Sequence, residues 1–310
     1  MQKALVIGAG NTGRIIIDNL VRSKKIETIY LYNRRKFKVE HIKEEISPIS
    51  PEKEVIILES GNTTTPIKIK KVDLIFICAS DYRADQRAED LHKSSLDRNF
   101  RNDFRMAELQ QNRNVMQDMV RLLKNIRGAR IYVVSNPVDI FTNYLARNLD
   151  ASNSIFGFGL ALDILRIKHI LRKKSVLRKK VGSIECVGNH GQPVPLLAAI
   201  MKNPKKQLYD HIQSQLKEHF VKASLGGVTY FQWSHALSEL VSGATGERDF
   251  ETGLCVKSSF EEFKNMHIGL PIQFRKGRVL KKDLVMSEFE SSLLRGKLEN
   301  LKKEIDKLEI

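Results

Sequence analysis

His190 sits in the run Gly188-Asn-His-Gly191, and imidazole is the side chain best suited to take up and return a proton near neutral pH. Upstream, Asp163 and Arg166 stand three residues apart in Leu162-Asp-Ile-Leu-Arg166. On a helix that spacing puts both on one face, so that one side chain can reach His190 while the other points at a ligand. The guanidinium grips a carboxylate through two parallel hydrogen bonds, a fork that lysine cannot form. Taken singly, these residues also have ordinary readings: a structural histidine and a helix-surface ion pair.

A second constellation opens the chain. Gly8, Gly10 and Gly13 follow a short apolar run and lead into a helix that the pattern starts near Thr12. In a strand-turn-helix, the first glycine permits the tight turn, the second lets the backbone approach a pyrophosphate, and the third lets helix pack on strand. The helix N-terminus adds backbone donors and positive potential for phosphates. Some 20 residues on, where an NAD site usually carries an acid for the ribose hydroxyl, the chain reads Tyr32-Asn33-Arg34-Arg35. Asn33 can still bond the ribose, and Arg34 and Arg35 suit a 2′-phosphate, so NADP is favoured over NAD. A surface charge knot without a cofactor role is the third reading.

The elements that must hold these residues are legible in the first half. Short β-branched runs at Ala4 to Ile7, Thr28 to Tyr32, Val55 to Leu58, Asp73 to Ala79 and Arg130 to Val134 alternate with helical stretches, the mark of an open, mostly parallel sheet. A long polar segment from Ser80 to about Phe104 reads as a mobile functional loop or an insert, followed by a helix through Val115, Met119, Leu122 and Leu123. From Ala151 the pattern changes. Helices near Leu160 to Leu171 and Lys206 to Lys222 mix with strands at Gly182 to Val187 and His267 to Phe274, so we expect a dinucleotide-binding domain over 1–150 and an α+β domain over 151–310. Ser287 and Glu290 have capping-box spacing and open a terminal helix.

Composition narrows the class. The 310 residues are 42% hydrophobic, enough for ordinary globular cores. No apolar run approaches the roughly 20 residues that span a bilayer. Cys78, Cys186 and Cys255 have neither metal-ligand nor redox-pair spacing, so we expect no metal site, no disulfide framework and a cytoplasmic setting. The net charge of +16 would draw polyanions, but basic residues are scattered and lack the aromatic interleaving of RNA-binding surfaces, so a nucleic-acid partner is not expected.

In this order the motifs resemble the lactate/malate dehydrogenase family over almost the whole chain: Gly8 to Gly13, Asp73 to Ala79, Arg105 with Asn112, Ser135-Asn-Pro-Val-Asp-Ile140, Leu162 to Arg166 and Gly188 to Gly191. The resemblance implies an α/β fold, a Rossmann-type doubly wound parallel sheet followed by an α+β substrate domain, in a homo-oligomer, dimer or tetramer. It implies hydride transfer between a nicotinamide cofactor and a small 2-hydroxy or 2-keto acid such as malate/oxaloacetate or lactate/pyruvate. On that reading His190 exchanges the proton, Asp163 orients it, Arg166 binds the substrate carboxylate, and Arg105 closes over the substrate and polarises its carbonyl. Asn136 meets nicotinamide and substrate, and Thr229 lines the substrate pocket. Asn11, Thr12 and Ala79 join the glycines at the cofactor.

Two departures stand out. Gln192 follows Gly191 where the family usually has an acid, and the loop before Arg105 is longer than the family's and rich in arginine, with Arg83, Arg87, Arg98 and Arg101. Arg98 and Asn99 are the nearest candidates for the position that chooses the substrate, and the loop's charge favours an acid more anionic or larger than lactate. The alternative reading is a non-catalytic descendant of the fold that binds a dinucleotide or a partner.

Overall fold

A computed structural model describes residues 1–58, 65–81, 100–173, 179–225 and 230–307, with side chains described throughout except at 100–107 and 220–225. The parallel strands are β1 (Gln2–Ile7), β2 (Ile26–Tyr32), β3 (Glu54–Ile57), β4 (Leu74–Ile77), β5 (Arg130–Val133) and β6 (Ser154–Gly157). Helices α1 (Asn11–Arg22), α2 (Lys36–Ile46), α3 (Phe100–Leu123) and α4 (Val138–Asn148) lie between them. The spatial order is β3-β2-β1-β4-β5-β6, the doubly wound Rossmann arrangement. Leu74 to Ile77 and Ile131 to Val133 are buried without a break, because helices cover both faces of a parallel sheet and leave no solvated side to alternate with.

All five strands expected from the first half are present, displaced at their ends by one or two residues. The segment expected as loop to about Phe104 is shorter at its C-terminal end, since α3 already begins at Phe100; residues 82–99 lie outside the described residues.

The remaining elements are α5 (Leu160–Arg172), β7 (Cys186–Val187), β8 (Val194–Pro195), α6 (Lys206–Leu225), α7 (Tyr230–Thr245), β9 (Phe250–Lys257), β10 (His267–Arg275), β11 (Arg278–Lys281) and α8 (Glu288–Asp306). Strands β9 to β11 form an antiparallel meander that joins the edge of β6 through Gly157 opposite Cys255, giving one nine-stranded sheet. The expected boundary at residue 150 falls between α4 and β6, and the strand beyond it completes the parallel sheet. The expected strand at Gly182 to Val187 is corrected: Val181–Ser183 is a turn of 3-10 helix, and only Cys186–Val187 pairs, with Val194–Pro195. Val181 and Ile184, three apart, both point into a second core against α5 and α6, which a strand could not allow.

The terminal helix is capped as expected: the Ser287 hydroxyl accepts from Glu290 N–H and the Glu290 carboxylate accepts from Ser287 N–H. Glu290 is fully buried and also accepts from Tyr209 of α6 at 2.7 Å and from Ala198 N–H at 3.0 Å, which clamps α8 onto the second core.

Candidate active site

The strand register brings Ile7, Ile77 and Val133 level, so the chain leaves β1, β4 and β5 at one edge of the sheet. Between β1 and β4 the strand order reverses, and a crevice opens there at the carboxyl ends of the strands. The glycine turn lies in that crevice. Gly8 has φ +102°, and a Cβ on Gly13 would land on the Gly8 carbonyl oxygen, so both glycines are required by the turn itself. Gly10 differs: nothing lies within 4 Å of the position its Cβ would take. That open space is where a pyrophosphate would need the backbone bare. Gly10 is also the N-cap of α1 and has no side chain to satisfy the first-turn N–H groups, which remain available to an anion. These residues therefore fit a dinucleotide's phosphates.

The polar residue at the end of β2 is partly committed to the protein. Asn33 Oδ1 accepts from Ala9 N–H at 3.2 Å and its Nδ2 donates to the Arg35 carbonyl at 3.0 Å, so the side chain braces the glycine turn from below. Arg34 and Arg35 are exposed beside it. Ala79, just past β4, accepts from the Ser135 hydroxyl, and Asn136 is exposed at the end of β5 with its carbonyl held by Asn112 Nδ2.

Across the crevice, α5 and the turn after β7 meet. Asp163 is 1% exposed, and its Oδ2 accepts from His190 Nδ1 at 2.9 Å and from Gly191 N–H at 2.6 Å. Burial pushes the Asp163 carboxyl up, but the His190 imidazole, Arg166 and the Gly191 N–H outweigh it and hold the group down at about 2. With Nδ1 occupied, Nε2 is the ring nitrogen left to face a substrate. The backbone of His190 is held as well, because its N–H donates to buried Asp139 Oδ2 at 2.7 Å. Beneath the ring lies Gly159, the N-cap of α5, where a Cβ would come within 2.6 Å of His190 Cγ.

Arg166 completes the group. Its side chain is 12% exposed, Nη1 stands 3.7 Å from Asp163 Oδ1, and its buried Nε has no hydrogen-bond partner among the described residues. Burial pushes the guanidinium down from its usual value, and Asp163 partly restores it. A largely covered cation with an unspent donor beside an imidazole has the chemistry to bind a small anion.

Of the expected site residues, the structure thus joins His190, Asp163 and Arg166 in one cluster and places Gly8, Gly10, Asn11, Thr12, Gly13, Asn33, Ala79 and Asn136 about the crevice. Arg105 falls on α3 with its side chain outside the described residues; Arg98 and Thr229 lie outside them altogether. Asp139, Gly159 and the Gly191 N–H are contributors that the sequence did not single out. Asp139 follows Asn-Pro-Val at the start of α4, where an acid has the ordinary use of complementing the helix dipole. The three cysteines are unpaired, and burial pushes each thiol up, which fits core packing. Among the described residues no group of His, Cys, Asp and Glu could hold a metal, and no helix is long and apolar enough to cross a membrane.

Three curated relatives match parts of the chain. A malate dehydrogenase of Methanococcus maripaludis is 30% identical over 90 residues, 28% of this chain and 29% of its own length. An L-2-hydroxycarboxylate dehydrogenase (NAD(P)(+)) of Methanocaldococcus jannaschii is 31% identical over 97 residues, 31% of each chain. L-lactate dehydrogenase 2 of Clostridium acetobutylicum is 38% identical over 74 residues, 24% of this chain and 23% of its own. Over these stretches the chain is similar to malate, lactate and 2-hydroxycarboxylate dehydrogenases, at a divergent level of identity. The matches span under a third of these relatives' lengths, whereas the likeness in fold extends over nearly the whole chain. Malate dehydrogenase from Plasmodium falciparum superposes with a TM-score of 0.71 at 18% identity, covering 99% of this chain and 98% of that one. The Archaeoglobus fulgidus malate dehydrogenase in complex with NADH gives 0.72 at 18%, covering 99% and 100%. Residues 4–100 also match the family model of ketopantoate reductase PanE/ApbA, a stretch that begins in β1 and takes in the glycine turn.

Proposed function

We propose that this relative of the lactate/malate dehydrogenases is a nicotinamide-dependent 2-hydroxy acid dehydrogenase, with NADP favoured over NAD. The observation that carries the reading is the cluster of His190 and Arg166 on buried Asp163, in which Arg166 keeps a buried, unspent donor at Nε. When bound, the dinucleotide supplies or accepts the hydride. Gly10 and the first turn of α1 would hold its phosphates, and exposed Arg34 and Arg35 would meet a 2′-phosphate. Arg166 grips the substrate carboxylate and so sets the 2-carbon against His190. His190 Nε2 takes the proton from the hydroxyl during oxidation and returns it during reduction, while Asp163 stabilises the imidazolium through Nδ1. Arg105 on α3 is proposed to stabilise charge on the carbonyl oxygen, with Asn136 and Thr229 completing the pocket and Arg98 contributing to substrate choice. A dicarboxylate such as oxaloacetate is favoured by the arginines before α3.

Titration with NADPH and with NADH, followed by nicotinamide fluorescence, tests the cofactor assignment. Pyruvate, oxaloacetate and larger 2-keto acids are then added while the nicotinamide absorbance is followed. NADPH is expected to bind more tightly than NADH and to be oxidised by one acid of the panel. Failure of both cofactors to bind overturns the reading; tighter NADH binding overturns the NADP preference alone.

A further inference from the structure

Trp233, the only tryptophan in the chain, connects α7 to the dinucleotide turn. Its indole Nε1–H donates to Thr12 Oγ1 at 3.1 Å, across 221 residues of sequence. The ring packs on Phe158, with centroids 5.7 Å apart, and Phe158 immediately precedes the glycine under the His190 ring.

An indole N–H can only donate, whereas a threonine hydroxyl has one hydrogen and two acceptor lone pairs. With Trp233 filling an acceptor site, the Thr12 hydrogen must be directed elsewhere. Thr12 is the second residue of α1, in the first turn whose N–H groups have no side-chain cap. We propose that Trp233 is a positioning residue that presents the Thr12 hydroxyl as a hydrogen-bond donor to the phosphates of the cofactor. The contact adds one oriented donor to the backbone donors of the turn and makes cofactor affinity depend on where α7 sits. This inference rests on the dinucleotide reading above.

The test measures NADPH dissociation constants, by nicotinamide fluorescence, for wild type, W233F, T12V, T12S and the W233F/T12V pair. W233F keeps an aromatic ring for Phe158 to pack on, loses the indole donor and gives up some ring volume. T12V controls for that lost volume by removing the same contact from the other side. W233F and T12V are each expected to weaken binding about threefold to tenfold, the usual net worth of one hydrogen bond. The pair should be no weaker than the weaker single variant, because both remove one interaction, and T12S should bind like wild type. In wild type the tryptophan emission should change on titration, and that response should shrink in T12V, which reads the contact even if W233F folds poorly. Unaltered affinity in W233F, or losses that multiply in the pair, overturns the inference alone. Absence of NADPH and NADH binding to wild type overturns it together with the dinucleotide reading.

Discussion

At the scale of single residues, Asp163 holds both the His190 ring and Arg166, and its ionisation makes the fold sensitive to acid. Its carboxyl is held down at about 2 in the folded chain, below the usual value of about 3.9 for an aspartate. A depressed carboxyl stabilises the fold above the unfolded value, and that contribution is lost as pH falls from about 4 to about 2. Wild type should therefore lose about 2 kcal/mol through that window from this group. In D163N the urea midpoint at neutral pH should be lower, since the amide leaves Arg166 uncompensated, and the further drop between pH 4 and pH 2 should be smaller. Equal acid sensitivity in the two proteins would show that Asp163 is not held ionised by His190 and Arg166.

At the scale of elements, the turn between β1 and α1 holds one glycine fixed by packing, Gly13, and one in open space, Gly10, so packing and the proposed binding can be tested apart. Gly10→Ala meets no protein atom, so the melting temperature should correspond to a change within about 1 kcal/mol, the usual range for altering such a cap. NADPH affinity should nevertheless fall by about tenfold or more, the equivalent of about 1.4 kcal/mol. Gly13→Ala should lose both, because its Cβ would fall on the Gly8 carbonyl. If Gly10→Ala binds NADPH normally, the open space beside it is not the phosphate site. This half of the molecule was the readable half, since each buried parallel strand is a compact β-branched run bounded by a turn. The sequence did not mark β6, whose four residues begin with Ser154 and end with Gly157. Helix α7 was also hard to read. Leu237, Leu240, Val241 and Ala244 recur at helical spacing, but Ser234, Ser238, Ser242, Gly243 and Thr245 are weak helix formers that blur the pattern. At the site, spacing alone put Asp163 and Arg166 on one helix face, whereas the support of His190 from Asp139 and Gly159 is a tertiary contact without a local signal.

At the scale of the whole molecule, the net charge of +16 acts on every approaching anion. If the substrate is a small dicarboxylate, kcat/KM should decline severalfold as potassium chloride rises from about 10 mM to about 0.5 M, because the Debye length shortens from tens of ångströms to a few. A flat profile at constant cofactor saturation would mean that the positive surface serves something other than substrate capture. A severalfold decline would assign the charge to encounter and leave retention to the proposed contact at Arg166.

The seam at Gly157 and Cys255 has a consequence in time as well as in space. Strand β6 finishes at residue 157, but the strand that covers its edge begins at residue 250. During synthesis the parallel sheet must wait for nearly a hundred further residues before that edge is sealed, and an uncovered strand edge is a template for pairing with another chain. A nascent chain whose first half folds early is therefore expected to be prone to association through β6 until the meander of β9 to β11 arrives.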